Sequence, residues 1–101
     1  MNTRCLYNKS FIDFYNESIT DILGSLCDNY HGDVLTTTRD AWKSEILIMK
    51  DVLSPYKDET GKIVFEYDIP RLGKRIDVTV LFRGIIFCLE FKVVSPIIDR
   101  I

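Results

Sequence analysis

At 101 residues, 47% hydrophobic and 28% charged, the chain suits one domain with a modest core and excludes a disordered segment. Its net charge of −2 does not advertise nucleic-acid binding, and no apolar run approaches the ~20 residues of a membrane helix. Cys5, Cys27 and Cys88 lack zinc spacing and His31 is the only histidine, which excludes a zinc cluster and a histidine-based dyad.

In chain order, the N-terminus lacks the apolar stretch of a secretion signal, so a cytoplasmic location is the default expectation. A short helical turn around Phe11–Tyr15 precedes a helix over 18–29. There Ile19, Ile22, Leu23 and Leu26 fall at helical spacing and Ser18 stands as N-cap. Residues 30–37 read as a loop, with His31 exposed near the helix end, and the three cysteines read as free, mostly buried thiols. The next helix covers about 38–53, capped by Thr38 and ended by Ser54-Pro55. Trp42, Ile46, Met49 and Leu53 form its apolar stripe, widened by Ala41, Ile48 and Val52. Glu45 falls on the rim of that stripe, where a carboxylate is ordinarily solvated.

After an exposed turn at 57–62, three strand-like runs follow. Residues 63–69, 74–82 and 85–93 are joined by Pro70-Arg71-Leu72-Gly73 and by Arg83-Gly84. Pairing 69 with 74 and 82 with 85 sets Tyr67, Ile76 and Phe91 in one row. The same pairing aligns Phe65 with Val78 and Leu89, and Ile63 with Val80 and Phe87. A slip of one residue would put Ile76 opposite Glu90 or Lys92, and a buried face forbids that. Arg83 is not ideal at a positive-φ turn position, so a four-residue loop is an alternative, with the same register. The architecture expected is α+β: N-terminal helices followed by a three-stranded antiparallel meander.

The other face of this meander carries two charged rows, Glu66–Asp77–Glu90 and Asp68–Arg75–Lys92. The second is partly charge-compensated; the first is not. Directly opposed like charges destabilise a sheet, and carboxylates in one row raise one another's pKa unless a cation lies among them. Hard cations such as Mg²⁺ prefer carboxylate oxygen. Val64, Thr79, Leu81, Ile86 and Cys88 share that face, so it is expected to be covered by a helix, and covered carboxylates need partners.

Ile76-Asp77 followed by Glu90-Phe91-Lys92 resembles the motif of the PD-(D/E)XK nuclease superfamily, with Ile76 in place of the usual proline. The longer runs Phe65–Val78 and Gly84–Val93, with Ala41-Trp42-Lys43-Ser44-Glu45-Ile46, look like the N-terminal nuclease-like domain of bacterial Schlafen-type nuclease–helicase fusion proteins. The resemblance spans roughly residues 10–94. It implies that Asp77 and Glu90 hold Mg²⁺ or Mn²⁺, that Lys92 orients or activates the attacking water, and that Glu45 joins the metal site. Glu66 is added as a metal ligand on the pairing argument alone. The implied fold is a partial restriction-endonuclease-like core: residues 1–101 as one domain, with a helical segment over 1–35, the core over 36–94 and a tail over 95–101. The family core continues with a helix and a strand that Val94–Ile101 does not resemble.

Residues 71–101 carry six Lys/Arg against three Asp/Glu. Arg71, Lys74 and Arg75 are therefore expected to contact backbone phosphates, with DNA favoured over RNA. The function expected is metal-dependent phosphodiester hydrolysis. The alternative is an inactive nuclease-fold module that binds nucleic acid or protein. Strand 85–93 is expected to be an apolar edge, and Pro96-Ile97-Ile98 with Ile101 a further apolar segment. Together they imply a homo-oligomer or a partner chain that completes the core.

Overall fold

The computed structural model describes residues 4–92. The elements are β1 (Tyr7–Ser10), α1 (Phe11–Asn16), α2 (Ile19–Asn29), α3 (Thr36–Leu53), β2 (Gly61–Ile69), β3 (Lys74–Phe82) and β4 (Ile85–Leu89), with a 3₁₀ turn at Ser54–Tyr56. The chain is α+β. Its sheet has four strands in the order β1-β2-β3-β4, all antiparallel; β2-β3-β4 form the expected meander, and one further strand joins it. The added strand is the N-terminal segment: Tyr7 pairs with Phe65 and Ser10 with Lys62, while the Leu6 N–H bonds the Phe65 carbonyl at 3.1 Å. Four residues of mixed polarity carry no period that sequence can detect.

The meander register is the one that apolar pairing dictates: Tyr67 with Ile76, Phe65 with Val78, Val78 with Leu89, and Phe82 with Ile85. The β3–β4 turn is the two-residue form. Arg83 (φ 53°) and Gly84 (φ 76°) both take left-handed conformations, whose twist matches that of the flanking strands.

The helices start where side chains can cap them. Ser10 Oγ accepts the Asp13 N–H at 3.3 Å and Ser18 Oγ accepts the Asp21 N–H at 3.0 Å. Helix α3 begins at Thr36 with no side-chain cap at Leu35, two residues before the start expected from Thr38. The C-terminal end of α1 is closed by Lys50 of α3. Its ammonium donates to the carbonyls of Phe14 (2.6 Å), Tyr15 (3.0 Å) and Glu17 (2.6 Å), satisfying acceptors that a helix end otherwise leaves bare.

The core lies between the helices and one face of the sheet. Phe11, Phe14, Ile22, Leu26, Trp42, Ile46 and Met49 pack against Ile63, Phe65, Val78 and Val80. Full burial of each large side chain is worth about 1.5–3 kcal/mol. Gly61 is required by this packing: a Cβ there would stand 2.4 Å from the Phe11 ring and 2.9 Å from the Leu81 carbonyl. The helices thus cover the Ile63/Phe65/Val78/Val80 face, not the Leu81/Ile86/Cys88 face for which a helix was expected. On that second face Val64 and Thr79 are buried, while Leu81, Ile86 and Cys88 are exposed. Ile48 and Val52 are also exposed and do not widen the α3 stripe.

At the sheet edge, Ile85, Ile86 and Phe87 of β4 are exposed. No helix among the described residues is long and apolar enough to cross a membrane. The expectations for the 95–101 tail lie outside the described residues.

Candidate functional site

The carboxylate row falls where the ladder opens. Phe65–Val78 and Tyr67–Ile76 are paired across β2 and β3, but Glu66 and Asp77 between them are not. Glu66 takes φ 57° within its strand, a left-handed conformation that costs a non-glycine residue on the order of 1 kcal/mol or more. β4 ends at Leu89, so Glu90 lies one residue beyond the strand. The Asp77 carboxylate takes the place of a ladder acceptor: its Oδ2 receives the Phe91 N–H at 2.8 Å.

This opening meets the first half of α3. A cavity of about 290 Å³ is lined by Ala41, Trp42 and Glu45 from α3, by Glu66 and Asp77 from the sheet, and by Phe91. Glu45 is not on a solvated rim. It is 6% exposed, within the buried stripe Trp42, Glu45, Ile46, Met49 and Leu53. Its Oε1 is buried without a hydrogen-bond partner.

The electrostatics follow from that geometry. Burial first, then the charges of Asp77, Glu66 and Glu90, push the Glu45 carboxyl up to about 8. Glu66 is raised as well, by burial and then by Asp77. Arg75, a hydrogen bond from the Trp42 side chain and Glu90 act on it more weakly, the first two pulling it back down. Four carboxylates from four stretches of chain therefore act on one another around Glu45. Glu45, Glu66 and Asp77 share the cavity. Glu90 is exposed and does not line it. Lys92 is exposed, past the end of β4, and also lies outside the lining. Among the described residues, no three carboxylate, imidazole or thiol side chains are already gathered in a metal-binding arrangement.

Arg71, Lys74 and Arg75 lie exposed at the β2–β3 turn and the start of β3. Asp68 and Arg75 are paired in register, yet the Arg75 guanidinium lies 5.8 Å over the Tyr30 ring rather than in an ion pair with Asp68. Arg83 pairs with Glu59 at 3.1 Å at the opposite end of the sheet, apart from the carboxylates. Sequence reasoning missed the Phe91 N–H as a clamp on Asp77 and Trp42 as a wall of the cavity beside Glu66. Trp42 stands three residues before Glu45, one turn away on the same helix face, and that spacing was the available signal. No protein-family model matches this chain, and no curated protein or solved structure gives a significant match.

Proposed function

We propose that this chain is a PD-(D/E)XK nuclease-like domain that hydrolyses nucleic-acid phosphodiester bonds with a divalent cation. One observation carries the reading: a buried glutamate with an unpartnered oxygen, Glu45, is loaded by three further carboxylates. Such an arrangement is unstable without positive charge. Its donors are all oxygen, which fits Mg²⁺ or Mn²⁺. Glu45, Asp77, Glu90 and Glu66 would hold the cation.

When bound, the ion supplies Lewis acidity at the scissile phosphate and lowers the pKa of a coordinated water. The chain's own groups do the rest. The Phe91 N–H fixes the Asp77 carboxylate, and Trp42 lines the cavity beside Glu66. Lys92 follows Phe91 directly in the chain; its ammonium would position the water and offset developing negative charge. Arg71, Lys74 and Arg75 would hold flanking phosphates.

A second reading, a non-catalytic module that binds nucleic acid or protein, is favoured by the exposed position of Lys92 and the absence of a preassembled cluster among the described residues. One set of measurements separates the two. Mg²⁺ or Mn²⁺ raises the melting temperature of the wild type by mass action, and Asp77→Asn removes most of that rise while its amide oxygen still accepts the Phe91 N–H. Lys92→Ala abolishes cleavage and leaves the melting temperature unchanged. Equal metal-induced shifts in wild type and Asp77→Asn sink the metal site. A wild type that binds metal but cuts no single- or double-stranded substrate selects the non-catalytic module.

A further inference from the structure

Glu66 lines a second cavity besides that of Glu45. This one, of about 260 Å³, lies where the N-terminal segment and the end of α2 meet the sheet, and it is lined by Arg4, Asn29, His31, Asp68 and Arg75 as well as Glu66. Its wall is largely polar. Asn29 is fixed there by its own bond, Nδ2 donating to the Leu6 carbonyl at 2.9 Å. Arg4 is held in register because its carbonyl accepts the Asp68 N–H. Arg75 is held by stacking on Tyr30. Neither arginine has a carboxylate in ion-pair range among the described residues. Two guanidinium forks and an imidazole thus line one half-open cavity; Glu66 and Asp68 share its wall, but with neither arginine in an ion pair the donors remain available to a phosphate oxygen cluster.

We infer that this cavity is a phosphate subsite, in which Arg4, Arg75 and His31 grip the backbone phosphate next to the one presented to the carboxylates. The inference rests on the phosphodiesterase reading for its neighbour and adds the residues that seat the strand. Glu66, shared by both cavities, sets the adjacency: a strand with one phosphate at Glu45 and Asp77 continues past Glu66 into the arginines. Arg4 comes from the N-terminal segment that leads into β1 and His31 from just past the end of α2, so the N-terminal segment is part of the binding surface as well as an edge strand.

The test is a titration of a short fluorescent single-stranded DNA, followed by anisotropy in a chelating buffer so that no divalent cation contributes. The wild type binds, and Arg4→Gln and Arg75→Gln each weaken binding at least tenfold and flatten its salt dependence. His31→Ala, at an exposed position that cannot unfold the chain, weakens it several-fold. Arg75→Lys recovers part of the loss. Arg4→Gln and His31→Ala leave the Mg²⁺-induced rise in melting temperature unchanged. Inorganic phosphate competes with the DNA in the wild type. Binding that is unchanged in Arg4→Gln, Arg75→Gln and His31→Ala overturns the subsite, as does a wild type that binds neither DNA nor phosphate. If DNA binding depends on the arginines while Mg²⁺ leaves the melting temperature unmoved, the subsite stands and the metal reading falls. The reverse result removes the subsite alone.

Discussion

Replacing Glu45 by Gln removes a charge from the most crowded point of the molecule and keeps the shape of the side chain. The sign of the effect depends on pH. Glu45 has its folded pKa raised, from an ordinary 4.5 to about 8. Below about pH 4.5 the group is protonated in both the folded and unfolded chains and contributes nothing. As pH rises toward 8 the unfolded chain loses its proton first, so folding becomes steadily less favourable. Above about 8 the folded carboxyl is also ionised and the penalty is complete. The full displacement corresponds to about 5 kcal/mol at ~1.4 kcal/mol per pH unit. Its neighbours are partly solvated, so screening reduces this to roughly 2–3 kcal/mol. Glu45→Gln escapes the penalty and still leaves a neutral oxygen without a partner. The variant therefore matches the wild type at pH 4.5 and is more stable at pH 8.5 by about 2–3 kcal/mol, on the order of 10 °C in melting temperature for a domain of this size. Adding Mg²⁺ at pH 8.5 narrows the gap, because it stabilises the wild type more. Thermal melts at pH 4.5, 6.5 and 8.5, with chelator and with Mg²⁺, provide the measurement. A Glu45→Gln protein whose stability follows the wild-type pH curve, or is lower by a constant amount at every pH, would refute the reasoning.

Two further outcomes concern regions outside the site. Lys50→Met leaves two α1 carbonyls and that of its C-cap Glu17 without their ammonium donor and lowers stability by about 2–3 kcal/mol in urea denaturation; a loss below ~0.5 kcal/mol would show that water replaces the lysine freely. The edge strand β4 exposes Ile85, Ile86 and Phe87 and carries no charged residue across Ile85–Leu89, so self-association through strand pairing is expected. Light scattering over a concentration series should then show association that Ile86→Lys weakens. A wild type that stays monomeric at high concentration rejects that pairing.

Much of the fold was legible because local signals agreed with one another. Ser18 marked the start of α2, and apolar pairing from Phe65 to Val78 to Leu89 admitted one register. The site was legible in part. Its row, Glu66–Asp77–Glu90, followed from that register, but the row itself is the place where regular pairing stops. Alternation assigns a face to each residue only while the backbone stays extended. Once Glu66 turns to φ 57°, the rule no longer says where its carboxylate goes, and the cavity it shares with Glu45 could not be derived. β1 was invisible for a different reason: a four-residue strand is defined by a partner more than fifty positions away, and nothing local encodes that. Ile48 and Val52 misled because apolar residues are common on helix surfaces, and exposure is set by what packs there.

Three costs coincide at one place. The ladder is open at Glu66 and Asp77, Glu66 occupies a left-handed conformation, and Glu45 buries an oxygen with no partner. Each is separately unfavourable, by on the order of 1 kcal/mol or more, and a Thr or Val at position 66 with an apolar residue at 45 would remove all three. A small domain has only a modest margin to spend on such features. They are also linked physically. Directly opposed carboxylates repel within a regular ladder, so the strands part. On the other side of β3, past the end of β4, the Asp77 carboxylate takes up the Phe91 N–H. The turned backbone brings Glu66 to Trp42 and to the cavity of Glu45. Relief of repulsion inside the sheet is thus obtained by moving charge toward a fourth carboxylate, which raises the electrostatic cost at Glu45 rather than dispersing it. A sheet that merely tolerated its charges would turn them outward to water. Here the distortion brings Glu66 and Asp77 to the cavity that holds the unpartnered Glu45 oxygen, and a bound cation would offset the charge gathered there.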